Sequence, residues 1–434
     1  MIVTYFQKQE GYSMKASESV ERYKPTLRMY TNFAVRTVKK VCKEVGPRPS
    51  GSPEELAGQN MMAEAVGNAA DEVKVEEFKV APNALLSWVR FCGTLLMIAL
   101  CLGLVNVVLN YTVWKENPQY YGAYALTALP VLGLIAMVWE FFFYGQLLDL
   151  FQRKHLSHNT YCIRKPSGEV KRRLILAGHA DSSMEWRLTY MGGSKLLYAG
   201  SIYALVGMAY TFAIGVTMLC LQKFMPVLVF IDIAFLPGYI LAFLFINHKV
   251  CVEGANDNLT GCMVAGAVLK FMGDNNIRFE NTEVIAMFSG SEESGLRGAK
   301  AAAKLHPEWK DPNVETAFIA LDTFKDYDDF AIYTHDMTGL VKHDKRMVNL
   351  VHDAGLEAEI DIERIGVFFG ASDACAASQA KIPAALLAAM NPGPPRYYHT
   401  RGDVAEIMEP KTVEKGLEVA LNAAFLFDER GLNG

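Results

Sequence analysis

Five short segments set histidine or carboxylate side chains at the ends of apolar runs or beside glycine. Gly178-His179-Ala180-Asp181 directly follows the apolar run 174–177. Gly254-Ala255-Asn256-Asp257-Asn258 stands just before a helical pattern. Ser289-Gly290-Ser291-Glu292-Glu293-Ser294-Gly295 follows the run 282–288, and Asp322 follows 316–321. Tyr397-Tyr398-His399-Thr400 closes the Gly- and Pro-rich loop 391–398. Singly, each has an ordinary structural explanation: a histidine after a strand is most often structural, and adjacent glutamates usually start a solvated helix. Together, two histidines and several carboxylates at sheet ends repel one another and call for a cation. Imidazole with carboxylate, and no thiolate, suits Zn²⁺. Such an ion makes bound water nucleophilic near neutral pH, and a neighbouring carboxylate can take the proton.

The elements that must hold these residues are legible from periodicity. Helical spacing covers 19–45 and stops at Gly46-Pro47. A second helix runs to about residue 68, with Ser52 as cap, Pro53 in the first turn and Glu55 three residues on from the cap. Alternation over 72–80, and β-rich or apolar runs at 159–164, 174–177, 282–288, 316–321 and 384–388, read as strands. Patterns at 258–272, 294–305, 346–355 and 410–427 read as helices. This alternation predicts an α/β fold with a mixed, largely parallel central sheet flanked by helices. In such sheets sites form at the carboxyl ends of strands, which is where the segments above fall.

The 434 residues are 51% hydrophobic and 21% charged, with mean hydropathy +0.13. Four runs, 91–110, 122–144, 196–221 and 224–247, reach the roughly 20 residues needed to cross a bilayer. They form two hairpins, so the segments before, between and after them return to one face. The expected organisation is a tail at 1–18 and a discontinuous catalytic domain of 19–86, 149–194 and 248–434. Transmembrane hairpins at 87–148 and 195–247 interrupt that domain. Arg90, Arg153, Lys154, Arg187, Lys195 and Lys249 flank the spans on the domain side, against Lys115 and Lys223 at the tips. Positive-inside bias therefore puts the domain in the cytoplasm of a multi-pass membrane protein. Asn110-Tyr111-Thr112 is a glycosylation triplet on the other face. Glu140, near the end of its run, is expected to reach the interface, and Asp232 to pair with a neighbouring helix. The net charge of −5 gives no basic footprint for nucleic acid. Eight cysteines without a CxxC pair form neither a disulfide framework nor a thiolate zinc site, and the polar N-terminus lacks the features of a cleaved signal peptide.

The ordered set His-x-Asp, Gly-Ala-Asn-Asp-Asn, Glu-Glu, Asp and His-Thr resembles the M28 family of co-catalytic zinc peptidases. Gly46-Pro47-Arg48-Pro49-Ser50-Gly51-Ser52 is similar to that family's N-terminal signature. The likeness covers about 20–427 apart from the hairpins. It implies two zinc ions per chain, a peptide substrate and aminopeptidase activity. Asp257 would bridge the metals; Glu293 and His399 would complete one site, and His179 and Asp322 the other. Asp181 would fix the tautomer of His179, and Glu292 would be the general base. In Gly370-Ala371-Ser372-Asp373-Ala374 the family usually carries a histidine where Ala374 stands, which bears on the substrate pocket. The competing readings are a glutaminyl cyclase of the same fold, a carboxypeptidase or dipeptidase, and an inactive scaffold or receptor. Four spans with few polar residues give a transporter little to line a pathway.

Overall fold

A computed structural model of the chain gives the architecture of residues 14–336, 340–366 and 370–433. The expected tail at 1–18 lies mostly outside these residues. Eleven strands occur among them: β1 (Glu72–Val80), β2 (His155–Arg164), β3 (Arg172–His179), β4 (Met184–Trp186), β5 (Ile246–Cys251), β6 (Thr282–Ser289), β7 (Glu315–Phe324), β8 (Phe330–Asp336), β9 (Val341–Lys342), β10 (Glu363–Gly366) and β11 (Ala384–Ala389). Nine form one sheet in the order β1-β2-β6-β3-β7-β11-β8-β10, with β9 on β8. Strands from before, between and after the apolar hairpins thus share a single sheet.

The sheet is less parallel than expected. Its centre, β6-β3-β7-β11, is parallel, whereas β1-β2, β2-β6, β11-β8 and β8-β9 are antiparallel. Central strands read as continuous apolar runs because both faces are covered. Along β3, Leu174 and Leu176 enter one core with helices Tyr23–Glu44, Thr260–Asp274 and Pro410–Arg430. Ile175 and Ala177 point to the other face, against Ala302 and Ala303 of Arg297–Leu305 and Ala377 of Asp373–Gln379. The expected caps held: the Ser52 side chain accepts from Glu55 N at the start of Pro53–Val66. Element ends moved. β3 runs through His179, β7 runs past Asp322, and the helix expected at 294–305 starts only at Arg297.

Among the described residues, four helical stretches are long and apolar enough to cross a membrane: Ser87–Thr112, Gly122–Phe142, Arg187–Leu221 and Pro226–Leu244. The third is broken at Gly193, whose φ of 66° and ψ of −161° are not helical. The fourth ends earlier than the expected residue 247, because Ile246 begins β5, which pairs with β4 across the base of the hairpin. The two hairpins pack on each other through Ala99, Val107, Leu126, Ile214, Met218 and Val229. Asp232 meets Thr211 of the neighbouring helix, as expected. Glu140 is fully buried within the protein, and one carboxylate oxygen accepts from Leu148 N at 2.9 Å.

Candidate metal centre

Two close approaches assemble the site. Gly178, at the end of β3, lies against the first turn of Thr260–Asp274; a Cβ there would sit 2.4 Å from Cys262 N. Gly261 lies equally close to β7, where a Cβ would fall 2.1 Å from the Leu321 carbonyl oxygen. The start of this helix is thereby wedged between β3 and β7, and the turn before it, which carries Asp257, reaches both His179 and Asp322. Asn258 completes the wedge: its amide donates to Leu321 O at 2.8 Å and its oxygen accepts from Thr323 N at 3.2 Å, on either side of Asp322.

His179 Nε2 is 3.1 Å from Asp257 Oδ1 and 3.9 Å from Glu292 Oε2. His399 Nε2 is 3.1 Å from Asp257 Oδ2 and 3.1 Å from Glu293 Oε1. The two oxygens of Asp257 therefore face different imidazoles. Donor atoms of His179, Asp257 and Glu293 all lie within 4.8 Å of one another. These distances bring together four of the five residues expected as ligands, with Glu292; Asp322 is near enough to His179 and Asp257 for their charges to act on its carboxyl. Asp322 enters through its place on β7; its Oδ1 accepts from Thr323 Oγ1.

Asp257 Oδ2 and Glu293 Oε1 are buried and accept no hydrogen bond, although His399 Nε2 is near both. Buried carboxylate oxygens without donors are costly, and a cation between them and the imidazoles removes that cost. The residues present therefore fit zinc: nitrogen and carboxylate donors, arranged around one shared carboxylate. The electrostatics agree. Burial, then neighbouring carboxylates, push the Asp322 carboxyl up to about 7. Burial also raises Glu292 well above its usual range, His179 opposes the rise, and Asp373, Glu293 and Asp322 add to it. Burial would lower His399, but Glu293 and Asp257 raise it to about 10. Asp257 is held well below the carboxylate range because the two imidazoles outweigh its burial.

Asp181 does more than was expected of it. His179 Nδ1 meets its backbone oxygen at 3.2 Å and its carboxylate at 3.5 Å. That carboxylate also accepts from Glu292 N, Glu293 N and Ser50 Oγ at 3.0, 3.1 and 2.7 Å. One side chain thus positions both glutamates by their backbone.

Four further groups received no site role from the sequence. Fully buried Arg48 donates to Ala180 O, Gly46 O and Gly254 O, tying the His179 loop to the Asp257 loop. Glu55, read only as part of a helix start, accepts from Ser157 Oγ, Ser291 N and Ser291 Oγ and so anchors the Glu292–Glu293 loop. Asp403 accepts from Asn256 N, Asn256 Nδ2 and Asp257 N, clamping the shared ligand's backbone, and burial raises it to about 7. Asp373 accepts from Ser289 Oγ beneath Glu292. The Gly46–Ser52 motif was the available signal for Arg48; Asp403 had none. Ala374 is fully buried beside Asp373.

Residues 241–424 match the model of peptidase family M28. That stretch holds Asp257, Glu292, Glu293, Asp322 and His399, but not His179 or Asp181. No curated protein sequence matches the chain. Among solved structures, the aminopeptidase from Aneurinibacillus sp. strain AM-1 is similar with TM-score 0.53 at 14% identity, over 93% of this chain and 94% of that one. The zinc aminopeptidase BSAP from Bacillus subtilis gives 0.52 at 13%, over 92% and 95%. Fimbriiglobus ruber glutaminyl cyclase gives 0.51 at 15%, over 91% and 95%. The fold is thus that of M28-type zinc aminopeptidases and of glutaminyl cyclases alike.

Proposed function

We propose that this chain is a membrane-embedded, co-catalytic zinc aminopeptidase of the M28 type. The observation that carries the reading is Asp257, whose two oxygens face His179 and His399 separately. A single-ion site needs no carboxylate shared in this way, so the arrangement favours two ions and hydrolysis over cyclisation. His399 and Glu293 would hold one ion, and His179 and Asp322 the other, with Asp257 common to both. Zinc, when bound, supplies Lewis acidity toward water and a peptide carbonyl.

The protein's own groups supply the rest. Glu292 lies beside the site, fixed through its backbone N–H to Asp181. Its carboxylate takes the proton from the attacking water and returns it to the leaving amine. Asp181 keeps the loop and the His179 ring in register. Arg48, Glu55 and Asp403 hold the three loops so that little reorganises during reaction.

The domain boundaries belong to the same proposal: soluble parts 19–86, 149–194 and 248–434 around two membrane hairpins, 87–148 and 195–247, with the soluble domain on the cytoplasmic side. Nine strands in one sheet drawn from all three soluble parts support it. The test is hydrolysis of paired free and N-blocked peptides by wild type and Glu292→Gln. Cleavage of free peptides alone, with metal retained and turnover lost in the variant, is the expected result. Pyroglutamate formation from a Gln-leading peptide, without hydrolysis, would replace the reading with a cyclase.

A further inference from the structure

Two of the loops that carry metal-site residues are each joined to the end of an apolar span. On one side, Trp186 N donates to His399 O at 2.8 Å, and Arg187 N donates to Phe245 O at 3.0 Å. Phe245 is the first residue past the span Pro226–Leu244. Ring-to-ring steps of 5.1 Å from Phe245 to Trp186 and 4.5 Å from Trp186 to His399 connect that span end to a ligand. On the other side, Tyr144 stands two residues past Gly122–Phe142 and packs on Leu296 and Ala299, just beyond Glu293. Its backbone oxygen accepts from Lys300 Nζ, and Gly145 O accepts from Arg297 Nη2.

The polar layer on each side of a bilayer is roughly 5–8 Å thick. Two ring-to-ring steps are comparable to that distance, which brings the His399 edge of the cleft close to the end of the span. The exposed apolar side chains outside the bundle agree. Leu150 and Phe151, in the segment after the first hairpin, are 75% and 81% exposed, and Met191 is 68% exposed. Met191 lies before the break at Gly193, beyond which residues 194–221 already give about 42 Å of helix, more than the hydrocarbon core requires. Side chains of this kind gain by entering the interface.

From this geometry we infer that the cleft opens within the interfacial layer, and that its substrates are peptides partitioned into that layer with an apolar leading residue. The inference rests on the peptidase reading above. Half-buried Trp186, Phe245 and Tyr398 make an aromatic wall beside His399, with Tyr398 stacked on its ring at 3.9 Å. That wall fits an apolar side chain, while the layer itself concentrates the substrate.

The test uses the full chain in phosphatidylcholine–phosphatidylglycerol vesicles with two fluorogenic peptides. Both share the same Leu-leading scissile segment; only one carries a remote apolar tail. We expect at least tenfold higher kcat/KM for the tailed peptide, while a water-soluble aminopeptidase prefers the untailed one. Phe151→Ser should reduce the preference and leave the untailed rate unchanged. A second measurement retains Trp186, replaces the other four tryptophans with Phe, and expects quenching by lipids brominated near the headgroup. Equal rates for the two peptides would overturn the inference while leaving the peptidase reading intact. Hydrolysis of neither peptide would instead end the peptidase reading, and quenching would still decide whether the cleft lies at the interface.

Discussion

Two buried carboxylates, Asp232 between the apolar helices and Asp257 in the cleft, differ in one respect that separates structure from chemistry. Asp232 accepts from Thr211 Oγ1 at 2.9 Å and from Tyr239 O–H at 3.0 Å. Its neighbours are matched to it, as buried polar groups between packed helices must be. Asp257 has its backbone clamped by Asp403 but leaves Oδ2 without a donor, beside an equally orphaned Glu293 Oε1. The first site is satisfied within the protein, whereas the second leaves two carboxylate oxygens that a cation would satisfy. Two acids with similar burial therefore have opposite meanings, and the partner inventory distinguishes them.

The comparison is tested most severely at Asp257. Asp257→Asn keeps the volume and removes the shared charge, so bound zinc measured by elemental analysis should fall below one per chain and hydrolysis should disappear. Full metal content in that variant would mean that the two imidazoles do not share this ligand. Next in size is Asp403→Asn, which loosens the clamp without touching a ligand. Metal affinity should drop 10- to 100-fold in chelator competition, with the fold retained by circular dichroism. Asp232→Asn should leave kcat/KM within about twofold and change stability by about 1 kcal/mol or less. Loss of activity there would show that a satisfied acid between the apolar helices also takes part in function.

The smallest effect concerns the junction of the first hairpin. Burial, then the neighbouring Arg297, lowers Lys300 from 10.5 to about 8. A folded-state value below the unfolded one means that the unfolded chain binds the proton first as pH falls. Stability from this group is therefore full above about 10.5 and declines as pH falls through 8. Lys300→Met should flatten the denaturation midpoint across that window. Unchanged pH dependence would place the Lys300 amine in water rather than against Tyr144.

Much of the site was legible because its residues cluster in short motifs at strand ends. Apolar runs are set by local burial on both faces, so β1, β6 and β11 emerged with bounds within a residue or two. His179, Asp257, Glu292, Glu293, Asp322 and His399 carry polar chemistry next to glycine, and that conflict with ordinary packing is visible in one dimension. Arg48, Glu55 and Asp403 were not legible in the same way. Each acts through hydrogen bonds to backbone far along the chain, and no periodicity marks a side chain that serves a distant carbonyl or amide. Glu140 shows the same limit: its position in an apolar run pointed to the interface, while its partner is the backbone of Leu148 across a turn.

The sequence by itself determined the kinds of donor atom, the order of the elements and the presence of four bilayer-length apolar runs, because these follow from local composition and spacing. Only the tertiary structure decided that Asp257 divides its oxygens between His179 and His399. The same is true of the antiparallel edges of the sheet and of the span ends that lie one or two side chains from the cleft. Those outcomes depend on contacts such as Gly178 against Cys262 and Trp186 against His399. Such contacts join residues tens to hundreds of positions apart, and packing rather than local preference selects them.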